Sequence, residues 1–161
     1  MAETKELTKA YIAGLFDGEG CVSVHKVQDQ RSKKKGNLLY RYYLKAIIVS
    51  TSKDMIDFIN KHYSGSVSER TKRNPNHADQ WAWQLSGMKA VSFFNDIYPY
   101  LIVKKEQASL AMKWSIAKSK SYMTEDMRKE RLEIYAAVKS LKSPSIQNIV
   151  WHNGHTKGIS K

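Results

Sequence analysis

The sequence predicts an α+β fold in which helices alternate with two antiparallel β-hairpins. Residues 21–25 and 80–85 alternate between apolar and polar side chains with period two, as strands covered on one face do. Polar stretches at 28–37 and 74–77 are typical of the loops that join such strands into hairpins. Amphipathic segments lie before, between and after the strand pairs. We therefore expect the order helix, hairpin, helix, hairpin, helix, followed by a helical C-terminal region.

Cap residues and glycines set the expected boundaries in the first half of the chain. Thr8 and Ser52 are suitable N-caps for helices, and the glycines Gly18 and Gly20 would end the first helix. The expected elements are a helix over about 9–17, strands over 21–25 and 38–50, and a helix over 53–63.

The second of these strands does not follow one pattern throughout. Arg41, Tyr43 and Lys45 alternate with apolar neighbours, but the apolar run at 47–49 breaks the alternation. A β-bulge would explain the break, and so would burial of the strand on both faces near its end.

Turn and cap residues also delimit the second half. Pro99 would end a helix that begins at Met88, and Thr124 would cap a helix whose first turn is acidic. We expect a single domain over 1–161, with a core over about 8–120, a helical C-terminal region over 121–144 and a tail over 145–161. The expected elements are strands over 65–73 and 80–85, and helices over 88–98, 104–120 and 125–141.

The charge of the chain points to a phosphate-rich partner. The 161 residues include 27 Lys and Arg against 15 Asp and Glu, a net charge of +12, which is typical of proteins that neutralise phosphates. A generic basic protein and a protein of anionic membrane surfaces are the alternatives. The single cysteine, Cys21, excludes an intrachain disulfide and a four-cysteine zinc site. We see no signal peptide or membrane span, so we expect no membrane partner and an intracellular location, in a prokaryotic cytoplasm, an organelle or a nucleus.

One face of the expected sheet would pack under the helices, and the other would be free. The candidates on the free face carry the hydroxyl, amide, imidazole and guanidinium groups that read base edges in the DNA major groove, which accepts a ribbon of strands. Basic loop residues would contact phosphates. Any one of these residues is also compatible with an ordinary solvated strand, and the prediction depends on the set. The DNA-binding candidates are Ser23, His25, Arg31, Lys33, Arg41, Ser68, Arg70, Lys72, Gln80 and Gln84.

The first helix carries small residues on one face and acids at its end. Ala10, Gly14 and Gly18 recur every four residues, a spacing that lets two helix backbones approach closely. Glycine inside a helix costs roughly 1 kcal/mol relative to alanine, so Gly14 indicates a packing partner. Because the chain has one such helix, the partner would be a second copy related by a two-fold axis. Asp17 and Glu19 would then converge with their copies, and carboxylates that meet a phosphodiester favour Mg²⁺.

Residues 12–20, Ile-Ala-Gly-Leu-Phe-Asp-Gly-Glu-Gly, resemble the nine-residue motif of the LAGLIDADG homing endonucleases. The segment 99–108, with its Pro-aromatic-Leu start and its later Lys and Gln-Ala, resembles a second segment of that family. The resemblance covers about 8–120. It implies the LAGLIDADG homing-endonuclease fold with a saddle-shaped antiparallel sheet. A single motif implies a homodimer that makes a double-strand break at a long, partly palindromic DNA site by Mg²⁺-dependent hydrolysis, often from an intron-encoded gene.

The resemblance also implies roles for individual residues. Glu19 would bind metal together with the backbone carbonyl of Gly18, whereas Asp17 would be a structural acid at the helix end. Lys104 would lie near the scissile phosphate. Thr51 occupies the position where the family often has a water-positioning glutamine, and the nearby Lys53 is the alternative for that role. Two or three Mg²⁺ ions per dimer would be shared across the interface, with no small-molecule cofactor. The implied dimer interface consists of Ala10, Ala13, Gly14, Asp17 and Gly18.

Two alternative functions are compatible with the same fold. An intron RNA splicing factor, or maturase, would be favoured by loss of the motif acids, but Glu19 is retained. A non-catalytic DNA-binding protein is favoured by Thr51 alone. His152 and His155 supply at most two zinc ligands, so we expect exposed tail residues there.

Overall fold

The computed structural model describes residues 2–30, 39–70, 76, 78–114 and 124–142. The predicted DNA-binding residues Arg31, Lys33 and Lys72 lie outside the described residues, as does the tail over 145–161. The predicted α+β order is confirmed. The elements are α1 (Ala2–Glu19), β1 (Gly20–Gln28), β2 (Tyr40–Ser50), α2 (Lys53–His62), β3 (Ser66–Arg70), β4 (Gln80–Ser86), α3 (Met88–Ile97), a 3-10 turn (Tyr98–Tyr100), α4 (Lys105–Met112) and α5 (Glu125–Lys142).

The four strands form one antiparallel sheet in the order β1-β2-β4-β3. The two hairpins are joined through β2 and β4, so β1 and β3 are the edge strands. Residues paired across neighbouring strands share a face of the sheet. The register therefore assigns every strand residue either to the core or to the opposite face, called here the open face.

The core lies between the sheet and the helices. Val22, Leu44, Ile48, Trp83 and Leu85 face it from the strands and are buried. The ring of Phe16 on α1 contacts the rings of Phe93 and Phe94 on α3, at centroid distances of 5.4 and 5.6 Å. These contacts hold α1 against α3 and position its C-terminal end.

The ambiguity in β2 is resolved by its register. The pairing of β2 with β1 and with β4 is continuous, so there is no bulge. Tyr42, Leu44, Ala46 and Ile48 are buried in regular alternation, and the alternate residues near the end, such as Ile47, are half-buried. The apolar run follows from partial cover on both faces, because β2 is a central strand.

Two predicted helix boundaries are wrong. α1 begins at Ala2 instead of residue 9, because the residues before Thr8 are themselves compatible with a helix. Thr8 is not a cap: its hydroxyl donates to the carbonyl of Thr4 at 2.8 Å, one turn back. α4 ends at Met112, so the expected helix over 104–120 is wrong at Lys113 and Trp114, and its remainder over 115–120 lies outside the described residues. Trp114 is buried in the core below the Arg131 guanidinium. Burial of this large ring overrides the helical propensity of the segment.

Other boundaries agree with the sequence. The Ser52 hydroxyl accepts from the backbone N–H of Met55 at 3.3 Å, and the Thr124 hydroxyl accepts from that of Met127 at 3.3 Å, so both predicted N-caps are confirmed. α3 ends two residues before Pro99. Among the described residues no helix has both the length and the apolar character needed to cross a membrane.

Candidate functional site

The C-terminal end of α1 is clamped to the loop that precedes α4. Asp17 accepts two backbone hydrogen bonds, through Oδ2 from the N–H of Ile102 at 2.7 Å and through Oδ1 from that of Lys104 at 2.8 Å. In return, Lys104 Nζ donates to the backbone carbonyl of Asp17. Asp17 thus fixes the position of Lys104 relative to the motif helix.

These contacts keep the Asp17 carboxylate ionised. Burial raises its pKa, but the backbone N–H groups of Ile102, Lys104 and Val103 and the charge of Lys104 lower it more, so that the pKa lies below its ordinary value of 3.8. Both oxygens are occupied by donors within the protomer, which fits a structural carboxylate better than a metal ligand.

Glu19 is in a different environment. It is the last residue of α1 and is exposed, and within the described part of the chain its carboxylate makes no hydrogen bond or ion pair. The final carbonyls of a helix, including that of Gly18, lack intrahelical donors and form the negative end of the helix dipole. Free oxygen ligands and negative potential therefore coincide at this end of α1.

The oxygen groups of this end fit Mg²⁺. Among the described residues there is no group of three or more His, Cys, Asp or Glu side chains that could hold a metal by itself. Mg²⁺ does not require one, since it commonly binds one or two carboxylates together with substrate phosphates and waters. Glu19 and the Gly18 carbonyl can supply the protein part of such a site.

Thr51 is at the same end of the sheet as Glu19. β1 begins at Gly20, which pairs with Ile48 near the end of the antiparallel strand β2. Glu19 and Thr51 therefore both lie just beyond the paired residues, and both are exposed. Together with Lys104, the candidates from three separate segments of the chain gather at the end of α1.

The predicted DNA-binding residues share one face of the sheet. Ser23 and His25 on β1 are paired with Lys45 and Tyr43 on β2, and Lys45 with Ser86 on β4. Lys45 Nζ also donates to the Gln84 amide oxygen at 3.1 Å, which ties β2 to β4 across this face. The seven described candidates are all on the open face: Ser23, His25, Arg41, Ser68, Arg70, Gln80 and Gln84. None of the strand residues on this face is acidic.

Two residues of the open face were missed as candidates. Lys45 and Tyr43 follow Arg41 at intervals of two, so the alternation of β2 was the signal that identifies them. Tyr43 is 43% exposed.

The imidazole of His25, on the same face, has a lowered pKa. Burial and the charges of Lys45 and Lys142 hold this pKa below its ordinary value of 6.5. His25 is therefore neutral near pH 7 and can both donate and accept. Arg41 donates to Asp29 Oδ2 at 2.8 Å.

The outer face of α1, which carries Leu7, Tyr11, Gly14 and Gly18, is open. A Cβ added at Gly14 or at Gly18 would meet nothing within 4 Å, so neither glycine is required for packing inside the protomer. Leu7 and Tyr11 are exposed beside them, at 67% and 57%, and sequence reasoning missed both. Their signal is the spacing 7, 11, 14 and 18, which follows one helical stripe.

One residue must be removed from the predicted interface. Ala13 is completely buried and belongs to the core of the protomer. It lies one residue from Gly14 and therefore about 100° around the helix from it. Ala10 is half-buried at the margin of the outer face. Asp17 lies at the opposite end of that margin, with its carboxylate engaged by the 102–104 loop.

The helix that ends in two acids, the two hairpins in the order β1-β2-β4-β3 and the helices over one face define the LAGLIDADG homing-endonuclease fold. Solved homing endonucleases share it, as the resemblance of residues 12–20 predicted. Comparison of the sequence with protein-family models and with curated proteins gives no match.

Three of the solved structures illustrate the similarity. A complex of the homing endonuclease I-CvuI with its target Sro1.3 in the presence of 2 mM Ca has a TM-score of 0.70 at 21% identity, over 89% of this chain and 87% of I-CvuI. The archaeal intron-encoded homing endonuclease I-Vdi141I complexed with DNA has a TM-score of 0.68 at 17% identity, over 85% of each chain. The LAGLIDADG homing endonuclease I-LtrWI bound to target DNA has a TM-score of 0.62 at 23% identity, over 83% of this chain and 45% of I-LtrWI.

Proposed function

We propose that this chain is a site-specific DNA endonuclease that acts as a homodimer and makes a double-strand break by Mg²⁺-dependent hydrolysis at a long, partly palindromic site. The observation that carries the proposal is the position of Glu19. This carboxylate, without a partner among the described residues, lies at the margin of a sheet face whose strand residues include basic side chains and no acidic ones.

The open face supplies the DNA contacts. Gln80 and Gln84 offer amide groups and Arg70 a guanidinium group, the side chains that pair with base edges in the major groove. Lys45 and the loop residues 31, 33 and 72 would neutralise phosphates, which adds affinity without specificity. I-CvuI, I-Vdi141I and I-LtrWI share the fold and were solved with DNA. This supports DNA as the partner of the same face here.

Each candidate residue at the end of α1 would have its own role in the hydrolysis of the phosphodiester. Glu19 and the Gly18 carbonyl would hold Mg²⁺, which activates water and stabilises charge on the phosphate. Lys104 provides a fixed cation beside that phosphate, since Asp17 holds it through its backbone N–H and its ammonium group. The Thr51 hydroxyl would orient the attacking water. Two or three ions would be shared by the two protomers.

The dimer completes the site. One protomer brings one Glu19 carboxylate, and cleavage of two strands requires two such ends. Close packing of α1 against its copy at Gly14 and Gly18 brings them together. The similarity covers 87% of I-CvuI but 45% of I-LtrWI, so this chain spans most of one I-CvuI chain and less than half of I-LtrWI. We also propose an intracellular protein encoded within an intron, as I-Vdi141I is described.

The experiment is selection of cleaved sites from a random duplex library with Mg²⁺, followed by cleavage and binding assays on the selected site. Glu19→Gln should bind that site with unchanged affinity and cleave it at least about 100-fold more slowly. Glu69→Gln, which alters an exposed glutamate on β3, is the matched control and should cleave like the wild type.

Undiminished cleavage by Glu19→Gln would remove Glu19 from the metal site. A wild-type protein that cleaves no duplex but binds intron RNA more tightly than every duplex tested would refute the nuclease proposal and establish the maturase.

A further inference from the structure

A hydrogen bond joins two polar side chains of the open face across neighbouring strands. Lys45 Nζ on β2 donates to Gln84 Oε1 on β4 at 3.1 Å. The contact is diagonal, because Lys45 is paired with Ser86 and Gln84 with Ile47. Both Lys45 and Gln84 are half-buried, so their neighbours on the face restrict the positions that the two polar groups can take.

The neighbours of Lys45 explain why its ammonium group lies against Gln84. Lys45 is paired with a serine on each side, Ser23 on β1 and Ser86 on β4. Two small side chains leave room for the long lysine side chain to lean along the face. The strand residues of the open face include no carboxylate. The ammonium group therefore binds the amide oxygen of Gln84 instead of an acidic partner.

This hydrogen bond fixes the orientation of the Gln84 amide. An ammonium group can only donate, so the amide oxygen faces Lys45 and the amide nitrogen is directed away from it. The side chain of Ile47, which is paired directly with Gln84, is apolar and offers that nitrogen no partner. A base that donates to the amide oxygen would have to compete with Lys45. The groups that the two residues offer to a ligand are therefore N–H donors.

Protein donors select bases that present acceptors. In the major groove guanine presents two acceptors, O6 and N7, whereas adenine presents one acceptor and one donor. Cytosine presents a donor, and thymine presents a single acceptor beside its methyl group. A glutamine whose amide is free to rotate pairs with adenine through both its oxygen and its nitrogen. The contact with Lys45 therefore changes the preference of the Gln84 amide from adenine to guanine.

We infer that Lys45 sets the base preference at Gln84, and that the two residues together read a guanine in the DNA target. The inference rests on the proposed function and specifies the substrate of the same face. It gives Lys45 a role beyond neutralising phosphates, since this lysine positions the amide of another residue. In a homodimer the contact occurs once in each half-site, so the guanine recurs at two-fold related positions on opposite strands.

The test is selection of bound duplexes from a random library in EDTA, so that binding is measured and hydrolysis is not. The position that loses its preference in Gln84→Met is the base pair that Gln84 reads. Four duplexes that differ only at this base pair then give the dissociation constants. The wild type should favour guanine over the other three bases by about 5- to 150-fold. Lys45→Met should favour adenine there, because the amide is free to rotate, and should keep its preferences elsewhere.

Two further variants separate the contact from a general effect of charge. Lys26→Met is the matched control, because Lys26 is an exposed lysine of β1 that is paired with the core-facing Tyr42 and lies over the ring of Tyr40. Loss of this charge on the opposite side of the sheet should leave every base preference unchanged. Lys45→Met combined with Gln84→Met should have no preference at the position, since the gain of adenine requires the amide.

The outcomes separate this inference from the proposed function. A wild-type protein that selects no duplex sequence refutes the proposed function and with it the inference. A wild type that selects a site, together with a Lys45→Met protein whose preferences are unchanged, refutes only the inference. A Lys45→Met protein that binds every duplex more weakly by the same factor also refutes it, and assigns Lys45 to phosphates alone. A wild type that favours adenine at the Gln84 position would overturn it too.

Discussion

Replacement of Gly14 by alanine adds one methyl group to the outer face of α1 and should change the protomer and the dimer in opposite directions. Within the protomer, the new Cβ meets nothing within 4 Å, and alanine is favoured over glycine in a helix interior by about 1 kcal/mol. The isolated protomer should therefore be more stable, with a melting temperature about 2–4 °C higher.

In the proposed dimer, the same methyl group meets the partner helix. An extra methyl group in a closely packed contact costs typically about 1–3 kcal/mol. The dimer dissociation constant should therefore rise about 5- to 150-fold. The opposite signs are diagnostic, because a simple loss of folding would lower both the melting temperature and the dimer affinity.

Both quantities can be measured on one preparation. Sedimentation equilibrium gives the dissociation constant, and thermal melting at a concentration below it gives the stability of the protomer. Gly20→Ala is the control, because a Cβ there would clash with the ring and carbonyl of Phe16, so it should destabilise the protomer at every concentration. A Gly14→Ala protein with an unchanged or tighter dimer would refute the packing of two α1 helices at Gly14.

Two further predictions concern pH and the Asp17 clamp. Asp17→Asn should lower the free energy of unfolding by about 1–2 kcal/mol, because two backbone donors lose a charged acceptor. This difference in the free energy of unfolding should be complete above pH 3.8 and should vanish as the pH falls below 3.8, since the pKa of Asp17 is lowered in the folded state. A difference that persists at lower pH would contradict this role of Asp17. The pKa of His25 is also lowered, so protonation below its ordinary pKa of 6.5 should destabilise the folded protein. His25→Gln should therefore melt at a less pH-dependent temperature than the wild type between about pH 7.5 and pH 5, and equal slopes would count against the shift.

The sequence predicted the sheet well because its signals are local. Alternation within β1 and β4 assigned the open face, and four of the seven described candidates on it, Ser23, His25, Gln80 and Gln84, follow from that period. Ser52 and Thr124 cap helices through contacts three residues away. Local signals failed where long-range packing decides, as at Trp114, whose burial ends α4 earlier than its propensity indicates.

The site was predictable in part for the same reason. The motif marked Gly14, Gly18 and Glu19, but it did not distinguish the inner and outer faces of α1, so Ala13 was assigned to the interface although it is buried. The clamp between Asp17 and residues 102–104 joins parts of the chain 85 to 87 residues apart. No local pattern contains such a contact, and the exposure of Ile102 and Val103 is visible only once the clamp is formed.

The two acids at the C-terminal end of α1 have separate roles because their surroundings differ. Asp17 points toward the 102–104 loop, and both of its carboxylate oxygens accept hydrogen bonds from backbone N–H groups. Glu19, two residues later, is exposed at the helix end. Exchange of the two roles is not possible without moving the loop, since an interval of two residues rotates a helical side chain by about 200°. The same rotation explains why the outer face can pack against a copy while Asp17 holds Lys104 from the flank. If the dimer forms as proposed, α1 positions the partner protomer, the metal-binding Glu19 and Lys104. A substitution on its outer face should therefore reduce cleavage first by weakening the dimer, and only then through an effect on hydrolysis itself.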